Sequence, residues 1–183
     1  MRKCLWLLAT GLLFAQDKPI LTADHQLAFP ADYRRWVFLG SGLGMTYGPL
    51  AAEPNQDPLF DNVFVNPASY DAFLKTGHWP DHTIFVLEVR QSASKASINK
   101  GGHFQAAVRG VEAEVIDSSL PGGWGFFSLD SKSATAKGIP ATASCYTCHR
   151  ENGAVDRTFV QFYPELLEVA KAKGTLKSST PHN

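Results

Sequence analysis

Apolar and polar positions alternate most clearly between Thr83 and Gln91. Ile84 and Val86 fall on one face and Phe85, Leu87 and Val89 on the other, the period-two pattern of a β-strand. His103 to Ile116 reads as one long or bulged strand with Gly110 at its bend, and Trp124 to Leu129 as another. Other stretches carry helical spacing. Ala31 to Phe38 puts Tyr33, Trp36 and Val37 on one helical face. Asn66-Pro67 supplies an N-cap and a first-turn proline, Tyr70, Phe73 and Leu74 share the face that follows, and Gly77 is a suitable stop. Phe159 to Lys173 looks helical after Pro164. Asp57-Pro58, Pro121-Gly122-Gly123 and Lys137-Gly138-Ile139-Pro140 are turn or loop signals. The predicted fold class is α+β, a mostly antiparallel β-sheet through the middle of the chain with short flanking helices.

The 183 residues carry 17 basic and 17 acidic side chains. With charge balanced and no charge run, nothing suggests a nucleic-acid footprint or a basic membrane-binding face. Arg2 and Lys3 precede an apolar run from Cys4 to Phe14, shorter than the ~20 apolar residues of a membrane-spanning helix. The run reads as a secretory signal peptide over residues 1–15, cleaved at Ala15, which leaves one domain over residues 16–183. The expected location is periplasmic or otherwise exported. Cleavage removes Cys4 and leaves two cysteines, so no further pair remains for a disulfide. The polar tail from Lys171 to Asn183 is expected to fray at its end.

Those two cysteines lie in Cys145-Tyr146-Thr147-Cys148-His149. Cys-x-x-Cys-His is the attachment signature of a c-type haem. The spacing sets the thiols one helical turn apart, each able to add across one haem vinyl group, and His149 can rise from the same turn as the proximal iron ligand. Zinc sites and thioredoxin-like dithiols also use Cys-x-x-Cys. A structural zinc normally needs four ligands and there is no second Cys-x-x-Cys, while a redox dithiol is expected beside a βαβ pattern that the chain lacks. The expected cofactor is one covalently attached haem c, held by Cys145, Cys148 and His149, with His149 as the metal ligand.

The motif lies late in the chain. In small electron-transfer cytochromes it usually lies early, and a later methionine closes the sixth iron site. The mature chain has only Met45, in a Gly-rich stretch, and no distal ligand is evident, which favours an open iron site. His103 is the competing distal ligand, although a lone strand histidine is more often at the surface or hydrogen-bonded.

The ordered set Tyr33-Arg34-Arg35-Trp36, Asn66-Pro67-Ala68-Ser69-Tyr70, Lys75-Thr76-Gly77, Gly110-Val111-Glu112-Ala113, Gly122-Gly123-Trp124, Cys145 to His149, Asp156, Phe159 and Phe162-Tyr163-Pro164 resembles the cytochrome P-460 family, which includes the β-sheet-rich cytochromes c′. The resemblance implies a homodimer with five-coordinate haem c and His149 as proximal ligand. Members with the eponymous spectrum oxidise hydroxylamine, often with nitric oxide as co-substrate, and carry a lysine bonded to the porphyrin. The residue aligned with that lysine is Leu87, which has no nucleophile. Lys95 and Lys100 lie in the next loop and read as solvated. Glu112 matches the family's distal carboxylate, a catalytic base for protons leaving the substrate; the competing reading makes it a surface glutamate, with Glu114 on the same strand face. Asp61 stands where some hydroxylamine-oxidising relatives have arginine. Phe85, Phe104, Trp124 and Phe126 are candidates to shape the distal side, and most are expected to be plain core. Asp156 is either an acceptor for the His149 N–H or a helix cap. The implied ligands are nitric oxide and hydroxylamine, and the implied redox partner is another cytochrome. The alternative is a non-catalytic electron-transfer or gas-binding protein.

Overall fold

The computed structural model describes residues 18–46, 57–130 and 132–178; the expected signal peptide, Cys4 and the end of the polar tail lie outside them. Among these residues the elements run β1 (Leu27–Ala28), β2 (Val37–Leu43), β3 (Phe60–Val65), α1 (Pro67–Thr76), β4 (Thr83–Ala93), β5 (Phe104–Ile116), β6 (Trp124–Leu129), β7 (Thr135–Ala136), α2 (Ser144–Asn152) and α3 (Pro164–Lys173). The fold is α+β. β2 to β6 form an antiparallel meander in chain order, and β1 pairs with β7. No helix among the described residues is long and apolar enough to cross a membrane.

Both faces of the sheet are covered. On one, Ile84, Val86, Ala113, Val115, Phe127 and Leu129 pack with Leu27, Tyr33, Trp36 and Leu120. On the other, Val65 and Phe85 pack with Phe73, Trp79, Val160, Leu166 and Ala170, which brings α1 and α3 against the sheet. Glu88 is a charged intruder in the first layer, 1% exposed. Tyr33 Oη, Arg34 and Arg90 all donate to its carboxylate. Burial opposes its ionisation, but those donors outweigh burial and hold the carboxyl below its ordinary range. Tyr33 is pushed up by burial and by its bond to Glu88.

The period-two reading of β4 holds and extends to Ala93. The bulge in β5 falls at Arg109, beside Gly110, where the register steps from Val89–Gly110 to Arg90–Val108. α1 ends at Gly77 in the left-handed region, φ 75°, where glycine escapes a Cβ clash. Asn66 does not cap α1 with its side chain; its Oδ1 accepts from Ile84 N–H and its amide donates to the His82 carbonyl, tying the helix start to β4. Leu74 is turned to solvent, while Phe73 and, partly, Tyr70 face the core.

The expected helix over Ala31–Phe38 is corrected: only Tyr33–Arg35 winds, as a 3-10 turn, and Val37 already belongs to β2. Tyr33 and Trp36 are buried without a helix because β2 pairs with β3. The segment before Pro164 is likewise a 3-10 turn, Val160–Phe162, and α3 begins at the proline.

Candidate functional site

Part of the second sheet face is not covered by helices. It walls a cavity of about 760 Å³, within the size range of cofactor sites. The register arranges the wall in cross-strand rows. Phe85, Glu114 and Phe126 form one row; Gly40, Val63, Leu87 and Glu112 form the next; Gly42 and Asp61 belong to a third. Successive rows are ~7 Å apart, two residues along a strand. All of these residues line the cavity, with Cys145, Cys148 and His149 opposite.

The Cys-x-x-Cys-His run lies within α2. Spacings of three and four residues put both thiols and the imidazole on one helix face. Buried Tyr146 points the other way, donating to the Ile139 carbonyl at 3.2 Å and accepting from Phe126 N–H at 3.3 Å, so α2 is pinned to β6. Cys145 and Cys148 are free thiols. Burial pushes the Cys145 thiol up, and the charges of Glu112 and Glu114 add to it, so it is held as a thiol.

The His149 ring packs between Phe159 and Phe126, at centroid distances of 4.3 and 4.7 Å. Its Nδ1 lies 3.1 Å from the Arg157 carbonyl and 3.3 Å from Glu114 Oε2. With Nδ1 so engaged, Nε2 is the nitrogen left for a metal. The Arg157 carbonyl is presented by a turn in which Asp156 and Arg157 are both left-handed, φ 46° and 69°. Gly153 lets that turn approach: a Cβ there would stand 2.7 Å from Arg157 Cα and 2.6 Å from the His149 carbonyl. Asp156 holds the turn from outside, accepting from Trp79 N–H at 2.9 Å and facing His78 Nδ1 at 3.1 Å. It is neither the acceptor for His149 nor a helix cap.

Glu112 lines the cavity and is at the same time exposed, as the surface reading has it, whereas Glu114 is only 8% exposed. Leu87 pairs with Glu112 across β4 and β5. Lys95 and Lys100 sit in the exposed loop after β4, and no lysine or arginine lines the cavity among the described residues. Asp61 is pushed up by burial and then by the charge of Glu112. Of the aromatic candidates, Phe85 and Phe126 line the cavity, Trp124 packs near His149 beneath the Arg157 guanidinium, and Phe104 is exposed elsewhere. His103 is exposed and does not line the cavity. Phe159, Phe162 and Met45 are among the lining residues that sequence reasoning did not place at the cavity. Phe159 and Phe162 were readable as part of an aromatic cluster after the motif, and Met45 reaches the wall because its side chain folds against Gly42, which has no Cβ to block it.

An apolar cavity with two thiols, one oriented imidazole and a few carboxylates has the donor set and size that suit a haem. These features define the class, a haem-binding α+β protein. The family model for cytochrome P460 matches residues 30–160, and the chain belongs to that family. Comparison with curated proteins found no match.

Proposed function

We propose that this is a periplasmic mono-haem c protein whose haem is tethered by Cys145 and Cys148 and ligated by His149. Its distal face is open and handles small nitrogen oxides, nitric oxide and hydroxylamine, without a lysine–haem cross-link. The observation that carries the reading is the single cavity lined by Leu87 and Glu112, paired across β4 and β5, together with both thiols and His149. The haem iron supplies ligand binding and one-electron chemistry when bound. The chain supplies the rest: Arg157 orients His149, the phenylalanines exclude water, and the Glu112 carboxylate accepts a proton from the bound ligand. Electrons pass to a second cytochrome. Two copies pair as a homodimer; Phe104 and Val108, exposed on β5, are apolar surface available to such a contact.

The test is peptide mapping of protein matured with haem in a periplasm. Haem should remain on the Cys145–Cys148 peptide after acid–acetone extraction, the Leu87 peptide should be unmodified, and the reduced protein should show a five-coordinate haem c spectrum. Extractable haem in the native sequence, or covalent haem surviving in Cys145→Ala/Cys148→Ala, overturns the attachment. A strongly red-shifted Soret band overturns the absence of a cross-link.

Met45 favours a second reading, a six-coordinate electron carrier, because its thioether lies on the cavity wall. A low-spin spectrum that becomes high-spin in Met45→Leu establishes this reading; a high-spin native protein removes it.

A further inference from the structure

We propose that Glu114 is a positioning residue for the proximal ligand: its buried carboxylate stands beside the His149 Nδ1 that meets the Arg157 carbonyl, and its charge makes His149 a stronger electron donor to iron. The inference rests on His149 being that ligand.

Glu114 is 8% exposed and has no lysine or arginine within ion-pair distance among the described residues; its ion-pair partner is His149, at 3.3 Å. Its Oε1 is buried without a hydrogen-bond partner. Its neighbours along the row, Phe85 and Phe126, are apolar. The Arg157 side chain, on the residue whose carbonyl meets His149, instead lays its guanidinium over Trp124 at 4.3 Å. A carboxylate is not buried among aromatic rings for packing, and leaving one oxygen unpaired is costly. The group that meets it here is the imidazole.

His149 Nδ1 is hydrogen-bonded to the Arg157 carbonyl, and the Glu114 carboxylate stands 3.3 Å from the same nitrogen. The Arg157 carbonyl, at 3.1 Å, fixes the ring's orientation. The carboxylate adds negative charge beside that nitrogen, and a charge so close acts more strongly in a buried site than in water. An anionic neighbour draws the proton away from Nδ1 and raises electron density at Nε2. A more basic ligand stabilises the oxidised iron and strengthens the iron–histidine bond. The carbonyl alone would orient the ring without this effect. Glu114 and Glu112, two residues apart on one strand face, therefore divide the work: one acts on the protein's own imidazole, the other faces the incoming ligand.

The experiment compares ferrous native protein with Glu114→Gln, Glu114→Leu and Glu114→Asp by resonance Raman spectroscopy and redox titration. Glu114→Gln and Glu114→Leu should lower the iron–histidine stretching frequency and raise the reduction potential, whereas Glu114→Asp should keep both near native. Gln keeps the shape and Leu removes the buried polar group, so if either accumulates the comparison stands. An unchanged frequency and potential in the neutral variants overturn the role of Glu114. A native spectrum with no iron–histidine band overturns His149 as ligand instead, so the two failures are distinguishable.

Discussion

Leu87 on β4 stands directly opposite Glu112 on β5, and both side chains line the same cavity. A leucine beside the base leaves the carboxylate free to serve the ligand. Glu112→Gln is therefore expected to slow hydroxylamine turnover by about a hundredfold or more, the range for removing a general base, while nitric oxide affinity changes little. Steady-state rates with an added electron acceptor, set beside ligand titrations, check this. Unchanged rates at saturating substrate place Glu112 outside the reaction.

Asp61 and Glu112 make the wall acidic, with no lining lysine or arginine among the described residues to offset them. Ionised carboxylates repel anions. Asp61→Asn should tighten azide binding to the ferric protein by roughly tenfold at neutral pH, equivalent to ~1.4 kcal/mol of charge repulsion. Binding of neutral nitric oxide should not move. Because burial and Glu112 raise the Asp61 pKa, native azide affinity should also climb as pH falls and Asp61 becomes neutral. Equal azide affinities in native and variant protein would refute the repulsion.

Gly153 is where the Arg157 turn closes on α2. Gly153→Ala should force the turn outward and cost about 1–3 kcal/mol, as overpacking does. The melting temperature of the holoprotein should fall by about 2–4 °C for each kcal/mol. The iron–histidine band should broaden as the carbonyl leaves Nδ1. A variant with native stability and a native band would show that the close approach is dispensable.

Glu88 ties Tyr33, Arg34 and Arg90 together on the opposite face of the sheet. Its folded pKa is depressed, so its contribution is complete above the unfolded value, near 4.5, and is lost as pH falls through the folded value. Glu88→Gln should destabilise by about 1–3 kcal/mol near neutrality. The gap between native and variant melting temperatures should then narrow as pH falls below 4.5 and on through the lower folded value, where the native carboxylate also protonates. A gap independent of pH would mean that shape, not charge, is what Glu88 supplies.

The sequence was most readable where local rules act alone. β4 could be read from alternation, the end of α1 from Gly77, and the cavity-facing side of α2 from the spacing of Cys145, Cys148 and His149. β2 and β3 were missed because glycines interrupt one and Asp61-Asn62 the other, and their pairing, not their composition, makes them strands. Alternation put Glu112 and Glu114 on one face but does not say what covers that face, so a buried Glu114 looked like a surface residue. The distance of Asp156 from His149 along the chain suggests either a partner for the imidazole or a helix cap, and it is neither. The left-handed turn reverses its direction and gives its carboxylate to Trp79.

The orientation of His149 is set by a backbone carbonyl, whereas the opposite wall is made of strand side chains. The carbonyl is held by the close approach of backbone at Gly153, whereas Asp61, Leu87 and Glu112 are side chains on strands paired through their backbones. Aiming the imidazole and lining the rest of the cavity are thus tasks of different parts of the chain, a backbone turn for the one and strand side chains for the other. New chemistries in such a scaffold should arise by exchange of wall residues, one at a time, without passing through an unfolded or haem-free ancestor.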